Sequence, residues 1–519
     1  MVTRRPQPLV QLCLLLALAA SLTSACVLVV DHDLDRLSEF HFRTDGLGGR
    51  FEVWRAGEVT FTADDTAVAA ITPGGFLRVD ERRAFRTRRV FVEPGPTGVL
   101  TVSHTVNGRD QPDDARSREE LADLFLRVIR NTAVGADQRV RRILARAGVD
   151  GVLDELDYVE GSTASSRYLT ALLRLGSLDV PELIRVADQA RWRISSSGTR
   201  ASFLVAATPY FLSQDAAQDA YFSAASSLAS SSNHQRVLSN VLERSPDRRT
   251  MVRLLRSARS ISSSGNKSRV LVTAASRYEN DDDLRKAFFA AVDSMASSDN
   301  QTRVLLALLD RGPLDRVSAV SLLQSTTRIS SSSSKAQVLS AVAADYSNDP
   351  DLREAYFAAV DSITSSDNRA RALVALLDQG ELDQASMVSL LRSAESISSS
   401  SALARVLDVA GQSFLNAPAP RDAFLRTTAS ISSSGDRARV LVKLLSTEAL
   451  DDAALEEVLR SVSGITSSRN QARVLVAASN RVRGNGALLA VYVEVARGIS
   501  SSTERRRVLD AVGRPESSV

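Results

Sequence analysis

Residues 261–271 read Ile261-Ser262-Ser263-Ser264-Gly265-Asn266-Lys267-Ser268-Arg269-Val270-Leu271, and residues 431–441 read Ile431-Ser432-Ser433-Ser434-Gly435-Asp436-Arg437-Ala438-Arg439-Val440-Leu441. The same frame begins at Ile194, Leu228, Ile261, Met295, Ile329, Ile363, Ile397, Ile431, Ile465 and Ile499. Eight of the nine intervals are 34 residues and one is 33. With the aliphatic residue as position 1, serines fill positions 3 and 4 in all ten copies. Recurrence at this fixed period is the signature of a stacked repeat.

Each repeat reads as two helices. A serine hydroxyl caps the first turn of the opening helix, which then carries an apolar stripe such as Val304-Leu305 and Leu308-Leu309. Asp310-Arg311-Gly312-Pro313 supplies the Gly of a helix end and the Pro of a helix start. A second stripe follows, as in Leu284, Phe288, Val292 and Met295. Neither helix can hide its stripe alone, so stacking is required. Second helices alternate between aromatic (Phe288-Phe289, Tyr356-Phe357) and aliphatic (Leu322-Leu323, Leu390-Leu391), giving a super-repeat of about 68 residues. The expected architecture is a mainly α chain, a right-handed-type α-solenoid over residues 194–513.

Upstream the period changes to that of strands. Phe40-His41-Phe42, Phe51 to Trp54, Val59 to Phe61, Phe76 to Val79, Val90 to Val92 and Leu100 to Val102 are separated by turns such as Pro73-Gly74-Gly75 and Asn107-Gly108. They predict a small antiparallel β domain over residues 39–108. A charged linker (109–118) and capping helices with a degenerate repeat near Val159 (119–193) follow; residues 514–519 form a polar tail.

The amino terminus has a secretory pattern: Arg4-Arg5, an apolar run from Leu9 to Ala20, then small residues to Ala25. That run falls short of the roughly 20 residues a spanning helix needs. Cleavage after residue 25 makes Cys26 the new terminus, and Leu22-Thr23-Ser24-Ala25-Cys26 resembles a bacterial lipoprotein signal, which implies acylation of Cys26 and a short anchored linker over 26–38. Export to the cell envelope is the expected localisation, the outer membrane or periplasm if the cell is Gram-negative. Cys13 leaves with the leader, so the mature chain holds one sulfhydryl and no internal disulfide.

Charge excludes one class of partner. Removing Arg4 and Arg5 takes 64 basic residues to 62 against 61 acidic ones, a net charge of +1, too little for nucleic-acid binding. No His-Glu-x-x-His, Gly-x-Ser-x-Gly or phosphate-loop motif occurs, so no catalytic residue, metal or cofactor is expected. Four histidines at unrelated spacings make no metal set.

Position 9 offers a candidate site. Arg236, Arg269, Arg303, Arg371, Arg405, Arg439, Arg473 and Arg507 share it, with Ser202 and Gln337 the exceptions. The functional reading is a row of guanidinium forks facing a carboxylate or phosphate ligand. The bland reading, favoured because position 9 directly precedes the buried Val-Leu pair, has each arginine bonding carbonyls at the preceding helix end or lying along a neighbouring helix.

Thirty-four residues is also the tetratricopeptide length, but that family's Trp, Leu-Gly, Tyr and Pro pattern is absent. From Phe40 to Leu509 the chain resembles bacterial extracytoplasmic Ile-Ser-Ser helical-repeat proteins, similar to repeat regions attached to beta-lactam-sensor-like membrane zinc metallopeptidases. It lacks their zinc motif and membrane helices, so the resemblance implies no peptidase activity here. The expected function is a non-catalytic envelope scaffold that binds a protein or peptide. The alternatives are an accessory or sensor protein for a membrane regulator, and a glycan-binding protein using Trp54 of the β domain.

Overall fold

The computed structural model describes residues 30–32, 39–46, 49–346, 348–380, 382–411, 417–446 and 450–513. The leader, Cys26, most of the 26–38 linker and the 514–519 tail lie outside the described residues. The chain forms two compact bodies that part between Tyr210 and Phe211.

In the first body, β1 (Val30–His32), β2 (Glu39–Gly46), β3 (Gly49–Ala56), β6 (Phe76–Arg83), β7 (Arg86–Pro94), β8 (Leu100–Val106) and β9 (Arg109–Asp110) form one antiparallel sheet in that order. A separate hairpin joins β4 (Val59–Phe61) to β5 (Val68–Ile71). The alternation legible in the sequence sets the two faces. Phe42, Val53, Val79 and Val90 are cross-strand partners on the packed face and are buried.

The β segment is not walled off from the helices that follow it. Residues of the expected 109–118 linker form β9 and open α1 (Ala115–Thr132), which is followed by α2 (Ala136–Glu155). Phe61 of the hairpin packs on Phe125 of α1 at 6.1 Å. Asp65, in the β4–β5 loop, pairs with Arg139 and Arg142 of α2, and Glu155 takes Arg130 at 2.8 Å and Arg139 at 3.0 Å. A small one-layer sheet needs something to cover its apolar face, and α1 reaches it through Arg127, which pairs with Glu81 of β6 and lies 5.5 Å from the Phe51 ring centre of β3, while α2 holds the hairpin. The two bodies part within helix Ser197–Leu212, the opening helix of the repeat that starts at Ile194.

The second body is the repeat array. In the repeat starting at Ile261 the opening helix is Ser264–Ala275 and the second is Asp282–Asp293. Opening helices pack on opening helices of adjacent repeats, and second helices on second helices, making two layers. The 68-residue super-repeat is visible in the core. Tyr221, Phe288, Tyr356, Phe424 and Tyr492 recur at 67 or 68 residues and are buried. Leu255, Leu323, Leu391 and Leu459 alternate with them, also buried. The run Asp281-Asp282-Asp283 begins a helix: the Asp281 carboxylate accepts from the Asp283 and Leu284 amides, both at 3.1 Å. Opposite charge at a helix start is favourable. Helix Ser502–Asp510, with Val508 and Leu509 buried, ends the array.

Candidate functional site

The two fixed serines do different work. Position 3 caps its own helix: Ser263, Ser297, Ser365 and Ser467 each accept from the amide three residues on, there an asparagine, and Ser433 and Ser501 do the same from Asp436 and Glu504. Position 4 reaches the next repeat. Ser298 meets Ser330 at 2.8 Å, Ser366 meets Ser398 at 3.0 Å, Ser400 meets Ser432 at 2.9 Å and Ser468 meets Ser500 at 2.8 Å. Several of these hydroxyls also accept the next repeat's position 3 amide, as Ser400 does from Ser433 at 3.1 Å. One serine starts the helix and the other staples the stack, which is why neither varies.

Position 7 holds a row that the motif did not reveal. It is occupied in turn by Arg200, His234, Lys267, Gln301, Lys335, Arg369, Leu403, Arg437, Gln471 and Arg505. Of these, Arg200, His234, Lys267, Gln301, Lys335 and Arg437 are buried despite their polarity. Except for His234, their partners include carbonyls at the ends of second helices. The Lys267 ammonium donates to the Arg259 carbonyl at 3.0 Å and to the Ser294 carbonyl at 3.3 Å. Lys335 donates to the Ser362 carbonyl at 3.0 Å, and Arg437 to the Gly464 and Ser461 carbonyls at 3.1 and 3.0 Å. Helix ends leave such carbonyls without intrahelical partners, and cations suit their negative pole. Burial pulls the Lys335 and Arg437 pKa values below their ordinary ones, and does so for Lys267 with help from Arg259. His234 is pushed down to about 4 by burial, its Nε2 lying 2.9 Å from the Ser257 hydroxyl. A sequence signal existed in the long polar side chain at nine of ten copies, but its changing identity hid it from a search for repeated letters.

This corrects the favoured reading of position 9. Carbonyl bonding belongs mainly to position 7; seven of the eight position 9 arginines are exposed and Arg439 is half-buried. Two residues along a helix is about 200°, so the positions face opposite ways. Local partners neutralise part of the row: Arg405 meets Asp367 at 2.9 Å, Arg439 meets Asp408 and Asp436, and Arg507 meets Glu504 at 3.5 Å. Arg303 bonds the Asn300 side chain at 3.1 Å, and Arg371 bonds Asn368 at 2.6 Å and the Ser333 carbonyl at 3.3 Å. Among the described residues the Arg269 and Arg473 side chains have no hydrogen bond or ion pair. Among the described residues Arg269, Arg303, Arg371 and Arg473 thus carry charge that no carboxylate pairs with.

Trp54 is placed differently from what a sugar platform requires. His41 stacks on it at 4.8 Å with an 8° interplanar angle, and the Arg78 guanidinium lies 4.7 Å from its ring centre. These partners come from β2 and β6, the strands on either side of β3. Both ring faces are therefore occupied, a cross-strand stack of the kind that stabilises sheets. Among the described residues no three His, Cys, Asp or Glu side chains converge as metal ligands, and no helix is long and apolar enough to cross a membrane.

No family model matches the chain, and no curated protein matches it. A solved structure described as a circular tandem repeat protein with novel repeat topology and enhanced subunit contact surfaces is similar over 77% of this chain and 78% of its own, at 14% identity and a TM-score of 0.13. At that score the likeness carries no argument.

Proposed function

We propose that the protein is a non-catalytic scaffold of the cell envelope, exported and acylated at Cys26, whose position 9 arginines bind an extended acidic segment of a partner protein. The observation that carries this reading is the exposed row itself, with four guanidiniums left uncompensated on one helical face. Adjacent packed helices lie about 8–10 Å apart, and three residues of extended chain span about 10 Å. A peptide running along the array therefore presents an acidic side chain to successive arginines at every third residue. Arg269 and Arg303, in consecutive repeats, make the best-matched pair.

The test is fluorescence anisotropy with a labelled peptide carrying Glu at every third position, against one of the same composition with Glu at every second. The first binds more tightly, and Arg269→Gln, Arg303→Gln and Arg473→Gln each weaken it about two- to fivefold, as exposed ion pairs allow. Equal affinity for both peptides, or indifference to the three substitutions, sinks the peptide reading. Export and acylation are checked apart from it, by globomycin-sensitive processing and mass spectrometry of the mature amino terminus.

A further inference from the structure

The densest basic run in the chain is Arg82-Arg83-Ala84-Phe85-Arg86-Thr87-Arg88-Arg89, and it is the β6–β7 hairpin. Several of its arginines have structural partners. Arg88 is buried beside Glu81 and Glu120, Arg89 faces Asp80 at 3.3 Å, Arg83 meets Glu81 at 2.7 Å, and Arg86 meets Glu120 at 2.6 Å. Arg82 has no side-chain partner among the described residues. Arg83 and Arg86 remain 62% and 46% exposed, so the tip presents three guanidiniums to solvent.

The turn between them departs from the residue preferences of a tight hairpin. Arg83 pairs with Arg86, leaving a two-residue loop of Ala84 and Phe85. Ala84 sits at φ +42°, the left-handed region that favours Gly or Asn, and Phe85 is 98% exposed. At the same end of the sheet the β8–β9 turn uses Asn107-Gly108, with φ of +49° and +77°, as hairpin chemistry prefers. An unfavourable turn that lifts one aromatic ring clear of the sheet points to an external contact.

We propose that the β6–β7 tip docks on an anionic lipid surface, with Phe85 entering the headgroup region and Arg82, Arg83 and Arg86 meeting lipid phosphates. A single ring on a convex tip suits a soft interface, where aromatic side chains concentrate; a folded protein partner would need a matching pocket. Position along the chain agrees. Val30 pairs opposite His41, and from there β1 runs away from the end of the sheet that holds the tip. The chain therefore enters β1 from the tip's side. Cys26 is four residues before Val30, at most about 14 Å of chain. An acylated Cys26 and a basic tip would act together, since one anchor and a polybasic patch reinforce each other. The tip contact itself does not depend on acylation.

The experiment places a reporter at the tip of the full chain. Phe85→Trp is titrated with phosphatidylglycerol and phosphatidylcholine vesicles containing brominated lipid, with the unsubstituted chain correcting for Trp54 and Trp192. The expected result is a blue shift and bromine quenching on phosphatidylglycerol only, with binding reduced about a hundredfold in Arg82→Gln/Arg83→Gln/Arg86→Gln, about fivefold per arginine. The same titration with Cys26→Ser separates the tip from the anchor: a retained signal supports the tip, and a signal seen only with Cys26 intact overturns it. No quenching on either vesicle, equal quenching on both, or an equal shift with a DNA duplex would each overturn the lipid assignment.

Discussion

Positions 7 and 9 of the repeat stand two residues apart on one helix and draw on the same long, cationic side chains, yet the array treats them as opposites. Position 7 turns inward with the apolar pairs at positions 10 and 11, where Lys267, Lys335 and Arg437 donate to helix-end carbonyls. Position 9 turns to water, where Arg269 and Arg473 have no protein partner among the described residues. Angle around the helix axis, more than adjacency to a buried pair, decides which arginine is structural. The inward row varies among Arg, Lys and Gln because a helix-end carbonyl accepts from any of them, and His234 meets the Ser257 hydroxyl instead. The outward row keeps Arg in eight of ten copies with no fold interaction common to all eight.

The sharpest way to break the contrast is to truncate the inward row. Lys335→Ala leaves the Ser362 carbonyl without its donor and a void around it, and is expected to cost about 3 kcal/mol in urea denaturation. Lys335→Leu should cost under about 1 kcal/mol, because Leu403 fills the same position elsewhere in the array. Arg473→Ala should stay within about 0.5 kcal/mol of the parent. A loss for Arg473→Ala as large as that for Lys335→Ala would erase the distinction.

A second effect concerns pH. Burial holds the folded pKa of His234 at about 4, below the unfolded value near 6.5, so the unfolded chain binds the extra proton first. Stability contributed by neutral His234 is present above about pH 6.5 and is lost as pH falls toward 4. Between pH 7 and pH 4.5 the parent should lose about 2 kcal/mol more than His234→Gln, which carries the side chain found at Gln301. Identical pH profiles for the two proteins would show that His234 titrates normally.

The smallest effect divides the two serines. Ser297→Ala and Ser298→Ala should each cost about 1 kcal/mol. Amide hydrogen exchange tells them apart: loss of the cap frays the start of helix Ser298–Leu309, whereas loss of the staple exposes the Ser331 amide of the next repeat, bonded at 3.2 Å. Protection changes confined to one repeat in both variants would remove the staple.

Much of this was legible beforehand because repetition and alternation are local properties. The ten copies of the serine pair, the stripe Leu284, Phe288, Val292 and Met295, and the alternation of Phe288 with Leu323 follow from which face of a helix must be hidden. Phe40 to Phe42, Phe51 to Trp54 and Val90 to Val92 announced strands by the same logic with period two. Weaker elements escaped. β1 is three residues long, and β5 (Val68–Ile71) has a largely exposed pattern that gives no alternation to read. The Arg-rich hairpin was hidden in the overall balance of charge, since its partners Asp80 and Glu81 stand beside it on β6 and Glu120 lies on α1.

The sequence by itself determined a two-helix repeat, its super-period, the capping serine and a β segment ahead of it, since each depends on residue types at fixed short spacing. Only the tertiary structure decided what the stack does with them: which serine reaches the next repeat, which cation meets a carbonyl 27 residues away, which arginines remain in water, and that α1 meets the sheet while α2 holds the β4–β5 hairpin. Those outcomes depend on distances between segments that are remote in the chain, and a local pattern carries no information about them until the helices are packed.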